Sequence, residues 1–548
     1  MEKAKSADLT VENRLAWWQR EVIYQIYPRS FQDSDGDGNG DLKGICRRLD
    51  YLTSLGVGAL WICPFFRSPM ADCGYDISDY TAIDPTFGSL DDFDLLLKEA
   101  HERRLKIILD LVPNHTSDQH AWFKESRRSR DNPKRDWYVW RDPGQNGEPP
   151  SNWLSHFGGS AWTHDEATGQ FYYHAFLASQ PDLNWRNPQV RSAIYDVMRF
   201  WLRRGVDGFR VDAITNLVED DLLRDDPPNP RFRAGMPPDL VNRRVFTTDR
   251  PETHLYIGEM RDVVDEFEDK VLIGEVHLPL ARAMAYYGRN RPNFHLPFNF
   301  QLLDANWDAR SIAAAVDQYT ILLPEHAWPN WVLGNHDEPR LASRIGQGQA
   351  RVAAMLLMTL KGTPFVYNGE ELGMRNVTVP RESMKDSRVE TMGSRRFSRD
   401  GARTPMRWDA SPGSGFSTGK PWLPLGEREN PHDAATQSGD AGSMLSLYRK
   451  LIALRRQSPA LIAGNYIPSA SRSDVLAYER HSGKQRFRIA LNFGSREQVF
   501  GFPGRWKVLV STALDRMGEP VAESVKLRPD EGLIAESLDG TPPPKSPS

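Results

Sequence analysis

Three carboxylates in this 548-residue chain stand where short apolar runs end: Asp212 in DGFRVDAI (207 to 214), Glu275 in LIGEVHL (272 to 278) and Asp337 in LGNHDEPR (333 to 340). With a strand period of two, Arg210 and Asp212 share one face, and Phe209, Val211 and Ala213 the other. The apolar face is the one to pack, so Arg210 and Asp212 point into the interior, where an unpaired charge is costly. Arg210 is expected to lower the Asp212 pKa and keep it ionised, as a nucleophile requires. A structural ion pair is the competing reading of these two residues. Two carboxyl groups can cleave a glycosidic bond: one attacks the anomeric carbon, and the other, with a raised pKa, protonates the leaving oxygen. In the retaining form they lie about 5 to 5.5 Å apart. Inward residues at the ends of adjacent strands meet that distance.

The elements that must hold them alternate. Strand candidates lie at 20 to 28, 58 to 65, 105 to 112, 207 to 214, 270 to 278, 294 to 302, 330 to 336 and 363 to 370. Between them, Phe93, Leu96, Leu97 and Ala100 follow a helical stripe, as do Val190, Ile194, Val197, Met198, Trp201 and Leu202. Eight such units, with no Gly-rich phosphate loop after the first strand, predict an α/β fold of the (β/α)8 barrel type. Barrel enzymes carry catalytic groups at the C-terminal ends of the strands, so long segments there should wall a pocket. Two such segments break the alternation, 113 to 181 and 371 to 440. The expected domains are a barrel in two parts, 1 to 112 and 182 to 457, an inserted subdomain over 113 to 181, a C-terminal β-sandwich over 458 to 540 and a disordered tail over 541 to 548.

Composition narrows the partners. The formal net charge is −4 with both signs dispersed, so no basic stripe serves nucleic acid. No run of eighteen apolar residues and no apolar leader is present, which predicts a soluble, cytoplasmic protein with no membrane partner. Three scattered cysteines, Cys46, Cys63 and Cys73, suit neither a disulfide framework nor a zinc site. Sixteen Trp, 17 Tyr and 24 Phe supply rings that fill cores and can also stack on sugars.

Read in order, DLVPNH (110 to 115), GFRVDAI (208 to 214), GEV (274 to 276) and LGNHDEPR resemble the four signature regions of glycoside hydrolase family 13, the α-amylase family. QPDLNW (180 to 185), FVYNGEELG (365 to 373) and RDGARTPMRWD (399 to 409) resemble further text of its α-glucosidase and oligo-1,6-glucosidase branch, although Asn368 stands where Gln is common. The resemblance runs from about residue 17 to 457. It implies a retaining, exo-acting α-glucosidase that needs no organic cofactor, with Asp212 as nucleophile, Glu275 as acid/base and Asp337 gripping sugar hydroxyls. It also implies that His115 and His336 bond the glucose being cleaved, that Arg210 attends the nucleophile, that Asp72 and Tyr75 clamp the non-reducing end, and that Arg403 closes the pocket. Phe157 and Phe176 are either aromatic walls or core. Substrates would be maltose, short malto-oligosaccharides and sucrose, with other hydroxyls as acceptors in transglucosylation. Ala213, where the branch has Val in α-1,6 enzymes, implies an α-1,4 preference.

In DSDGDGNGDL the acidic residues alternate, but Gly44 stands where an EF-hand needs its bidentate Glu. The resemblance instead implies a structural Ca²⁺ or Mg²⁺ held by Asp33, Asp35, Asp37, the Asn39 carbonyl and Asp41; a solvated turn is the alternative. Three other functions resemble this chain in part: an oligo-1,6-glucosidase, a non-catalytic accessory subunit of a transporter, and a sucrose-acting isomerase or transferase. Accessory subunits lack the full acid set that is present here, and isomerases carry an Arg-rich loop where this chain has QLLDANWD (301 to 308).

Overall fold

A computed structural model describes residues 15–289, 291–426, 433–469 and 474–539, so the tail expected over 541 to 548 lies outside the described residues. Eight parallel strands form one sheet: β1 (Ile23–Ile26), β2 (Ala59–Ile62), β3 (Lys106–Leu111), β4 (Gly208–Val211), β5 (Val271–Gly274), β6 (Leu296–Pro297), β7 (Asn330–Val332) and β8 (Thr363–Tyr367). Their order, β6-β5-β4-β3-β2-β1-β8-β7, is that of a barrel opened at one seam. Each falls inside an expected run and is shorter than it. Strands buried on both faces read as unbroken apolar text, and ALWI and VLIG do so.

The seam is closed by side chains. Pro297 has no N–H to give a ladder, which is why the expected strand over 294 to 302 shrinks to two residues. Asn330 Nδ2 donates to Pro297 O at 2.6 Å, Asn330 Oδ1 accepts from Asn299 N at 3.0 Å, and Asn299 Nδ2 donates to Asn330 O at 3.1 Å. Two amide side chains thus replace the missing backbone pairs between β6 and β7.

The helical stripes pack as their periodicity requires. In α1 (Leu90–Glu102), begun by a Ser89–Asp92 capping box, Phe93, Leu96, Leu97 and Ala100 are buried. In α2 (Pro188–Arg204) all six stripe residues are buried, and Gly205 at φ 113° ends it in the left-handed region. The segment 113 to 181 carries a three-stranded antiparallel sheet in which Gln170–Tyr173 pairs Trp140–Arg141 and Trp162–Asp165. It has its own apolar cluster around Trp153, Trp162 and Tyr173. A third excursion, between β4 and the helix Pro251–Asp265, contains only short 3-10 turns at Ile214–Asn216 and Pro238–Val241.

The C-terminal part is the all-β domain expected. Its six strands, β9 (Asn465–Pro468), β10 (Val475–Ser482), β11 (Gln485–Asn492), β12 (Gln498–Ser511), β13 (Pro520–Leu527) and β14 (Gly532–Ser537), form one antiparallel sheet ordered β9-β10-β11-β14-β12-β13. The long β12 carries register shifts at Phe502/Arg505 and Val508/Val510, and such irregularities bend a strand. One face then gathers Val475, Ala490, Phe502, Trp506, Val525 and Leu533, while the alternate residues Leu476, Tyr478, Ile489, Leu491 and Ile534 join the core of the barrel. No helix of the described residues is long and apolar enough to cross a membrane.

Candidate active site

A cavity of about 600 Å³ opens above the C-terminal ends of the barrel strands. Asp72, Tyr75, His115, Phe157, Phe176, Asp212, Glu275, His336 and Asp337 all line it. Of the expected pocket residues only Arg210 and Arg403 do not; both lie beneath it, 2% and 0% exposed.

Arg210 is the hub of the floor. Its Nη1 donates to Asp212 Oδ1 at 2.6 Å and to Asp110 Oδ1 at 2.8 Å, and its Nη2 reaches Glu275 Oε1 at 2.8 Å. Two carboxyls held by one guanidinium are close neighbours, a separation that suits a retaining pair better than an inverting pair with a water between them. The expected depression of the Asp212 pKa is overturned. Burial pushes it well above the usual carboxylate range; Arg210 pulls down, but Glu275 and Asp110 push up. One guanidinium does not offset three buried carboxylates, and Asp110 itself is raised, by burial first, to about 6.

Asp337 is the opposite case. Burial would raise it, but the His336 ring and the guanidiniums of Arg399 and Arg403 hold it well below the usual range. Arg399 Nη1 lies 3.0 Å and Arg403 Nη2 2.8 Å from Asp337 Oδ1. Arg399 also grips Asp386 through Nε and Nη2, each at 2.9 Å, and Asp72 Oδ1 through Nη2 at 2.9 Å. Of Arg399 and Arg403, four residues apart in the same motif, the one lining the cavity is therefore Arg399, beside Arg244, Arg282 and Arg388 from elsewhere in the chain. Arg403 acts from behind, its Nε donating to His336 O at 3.0 Å. Arg399 and Asp386 escaped the sequence reading; RDGARTPMRWD contained the signal, because the 3-10 turn Asp400–Ala402 between its arginines sets them on different sides.

The aromatic and histidine lining is tied together by ring contacts and hydrogen bonds. The Tyr75 ring stacks on His336 with centroids 5.4 Å apart and planes 1° from parallel, and its hydroxyl donates to Asp110 Oδ2 at 3.1 Å. Burial pushes His115 down to about 4 and His336 to about 3, so both rings are neutral. Phe157 meets Phe176 edge to face and carries the guanidinium carbons of Arg399 and Arg388 at 5.1 and 5.5 Å from its centroid. Both phenylalanines are thus walls as well as packing.

Strand alternation fails at Ala213. The strand ends at Val211, and Ala213 adopts φ 48°, ψ 27°, a left-handed conformation uncommon for a residue with a Cβ. The chain turns there, and Ala213 lines the cavity, where the family resemblance puts it.

Away from the pocket, carboxylate oxygens of Asp33, Asp35 and Asp37 lie within 4.8 Å of one another. Burial of Asp33 is outweighed by hydrogen bonds from Ser417, Gly36 and Gly38, which hold it ionised. Three close hard oxygen donors fit a divalent cation. Asp41 is not in the cluster: it caps the helix Leu42–Arg47, accepting from Gly44 N and Ser34 N at 2.7 Å each. The Asn39 side chain accepts from Arg29 Nε at 2.7 Å.

Residues 25–464 match the alpha amylase catalytic-domain family model. The chain is 43% identical over 505 residues to a probable alpha-glucosidase of Rhizobium meliloti, covering 89% of this chain and 91% of that one. It is 39% identical to an oligo-1,6-glucosidase of Halalkalibacterium halodurans, covering 94% and 98%. Among solved structures it superposes on the alpha-glucosyl transfer enzyme XgtA with a TM-score of 0.90 at 41% identity over 96% and 100% of the chains. The trehalulose synthase MutB from Pseudomonas mesoacidophila MX-45 gives 0.87 at 36% identity over 95% and 99%. With this match over most of its length and with a barrel whose strand ends gather the acidic residues of all four motifs, the chain belongs to the α-amylase family and is a glycoside hydrolase.

Proposed function

We propose that this chain is an exo-acting, retaining α-glucosidase that removes a terminal glucose from short α-glucosides, with α-1,4 links preferred. The observation that carries the reading is the pairing of Asp212 and Glu275 on Arg210 at the floor of a cavity barred on one side by Asp72, Arg399 and Asp337. A pocket with such a bar holds the last sugar of a chain rather than its middle, which supports exo action. Asp212, in the carboxylate form that the Arg210 guanidinium 2.6 Å away favours, attacks the anomeric carbon and Glu275 protonates the leaving oxygen; Glu275 then takes a proton from the water, or other hydroxyl, that releases the glucose. Asp337, ionised between two guanidiniums, accepts from sugar hydroxyls, and His115 and His336 offer neutral ring nitrogens. Transfer to sugar acceptors in place of water is supported by the likeness to XgtA. Three unpaired cysteines support a cytoplasmic setting. Asp33, Asp35 and Asp37 would hold a Ca²⁺ or Mg²⁺ whose role is to fix the loop after β1, so chelation should lower the melting temperature more than the initial rate.

The decisive experiment follows maltose, isomaltose and sucrose by NMR. Maltose cleaved first to α-glucose, and faster than isomaltose, fits the proposal; a β-glucose first product would overturn retention, and isomaltose cleaved faster would overturn the linkage preference.

A further inference from the structure

Gln25, on β1 and 1% exposed, lies under the pocket, with its Nε2 2.8 Å from His336 Nδ1 and 3.2 Å from Cys63 Sγ. The other ring nitrogen, His336 Nε2, lies 2.8 Å from the Tyr75 hydroxyl and 3.3 Å from Asp337 Oδ2. A neutral imidazole carries one proton, and which nitrogen bears it is set by the partners of both. Asp337, ionised against Arg399 and Arg403, can only accept. The Tyr75 hydroxyl gives its own proton to Asp110 Oδ2, so toward His336 it accepts as well. Both partners of Nε2 therefore require N–H at that atom. Nδ1 is left with a lone pair in need of a donor, and the amide of Gln25, at 2.8 Å, is the near one, with the Cys63 Sγ farther off at 4.0 Å.

We propose that Gln25 is a positioning residue that locks His336 as the Nε2–H tautomer and so aims its single proton at the Tyr75 hydroxyl and Asp337, which line the sugar pocket. In the other tautomer the Nε2 lone pair would face a carboxylate oxygen and a hydroxyl oxygen already committed as a donor elsewhere, a buried mismatch on both contacts. With the tautomer fixed, one direction of donation runs from β1 to β3: Gln25 to His336, His336 to Tyr75, Tyr75 to Asp110, where Arg210 also donates. A sugar hydroxyl arriving beside Asp337 and Tyr75 then meets partners whose bonding does not alternate, whereas a ring free to change tautomer would reverse the His336–Tyr75 bond part of the time.

The test uses the full chain with ¹⁵N-labelled histidine, without substrate, and identifies the His336 signals by their loss in His336→Asn. The expected spectrum shows a protonated, pyrrole-type Nε2 and a pyridine-type Nδ1. Gln25→Met keeps length and removes the donor; both nitrogens should then move to intermediate, exchange-averaged shifts, and kcat/KM on p-nitrophenyl α-glucoside should fall about tenfold to a hundredfold. Because Gln25 acts through the ring, the double variant with His336→Asn should be no slower than His336→Asn alone. A pyrrole-type Nδ1 in the parent, an unchanged spectrum in Gln25→Met, or additive losses would overturn the proposal, and the parent spectrum decides even if Gln25→Met does not fold. The kinetic half rests on the α-glucosidase reading. A parent with the expected spectrum and no turnover would overturn that reading and leave the tautomer assignment supported.

Discussion

The backbone N–H of Ala213 donates to Oε2 of Glu275 at 2.9 Å, so the residue that follows one proposed catalytic carboxylate is bonded to the other. Ala213 itself is left-handed, at φ 48° and ψ 27°, and lines the cavity.

Ala213→Val should narrow or invert the preference for maltose over isomaltose. An α-1,4 link keeps the leaving ring close to the first sugar and needs the space that a branched side chain fills; a one or two methyl change is worth about 1 to 3 kcal/mol of discrimination. A β-branched residue at φ 48° is strained, so the melting temperature should fall too. An unchanged ratio of kcat/KM values would remove Ala213 as the determinant.

Asp212→Asn and Glu275→Gln should each slow maltose hydrolysis by about a thousandfold or more. On aryl glucosides whose leaving group needs no proton, Glu275→Gln should keep a larger share of the parent rate than Asp212→Asn. Equal losses on both substrate types would reverse or dissolve the division of roles.

Arg399→Ala should destabilise strongly, because it strips Asp386 and Asp72 of a buried partner, a change that costs about 3 to 5 kcal/mol. Arg399→Lys restores a charge without the planar fork that spans three carboxylates, so it should recover much of the melting temperature and leave KM raised. A lysine variant with the parent KM would show that the fork has no part in holding the sugar.

Glu219 gives a pH signature in stability. Burial raises its carboxyl from the ordinary 4.5 to about 7. Between those values the folded chain binds more protons at this site than the unfolded chain, so the site favours folding at low pH and its contribution falls as pH rises from 4.5 to 7. Glu219→Gln removes that slope. Its melting temperature should decline less than the parent's between pH 5 and 7, and parallel curves would refute the assignment.

How much of this was legible in the sequence divides by physical cause. Strands buried on both faces write themselves as apolar runs, and motif residues at their ends reach the pocket because strand geometry carries them there; Asp212, Glu275 and Asp337 are all found so. Ala213 reached the pocket through the family resemblance alone, because nothing in an alanine announces the positive φ found there. Arg399 was passed over because two arginines four apart in one motif look alike until the turn between them is seen. Asp212 misled for a different reason: its pKa depends on Glu275 and Asp110, which come from other strands, and pairwise reading along DGFRVDAI sees only Arg210. The excursion between β4 and the helix Pro251–Asp265 left a trace in its prolines, at DDPPNP and MPPD, which interrupt a stretch otherwise too long for a connection.

The asparagine seam between β6 and β7 gives the barrel a softer side. Seven of its eight strand junctions are backbone ladders, in which each lost bond is buffered by its neighbours; the eighth hangs on Asn299 and Asn330. Opening of the barrel should start there, near Asp337 at the end of β7, which faster amide exchange around β6 and β7 than around β4 and β5 would check. Asp337 follows β7 at that seam, whereas the two proposed catalytic carboxylates, Asp212 and Glu275, follow β4 and β5, which a backbone ladder joins.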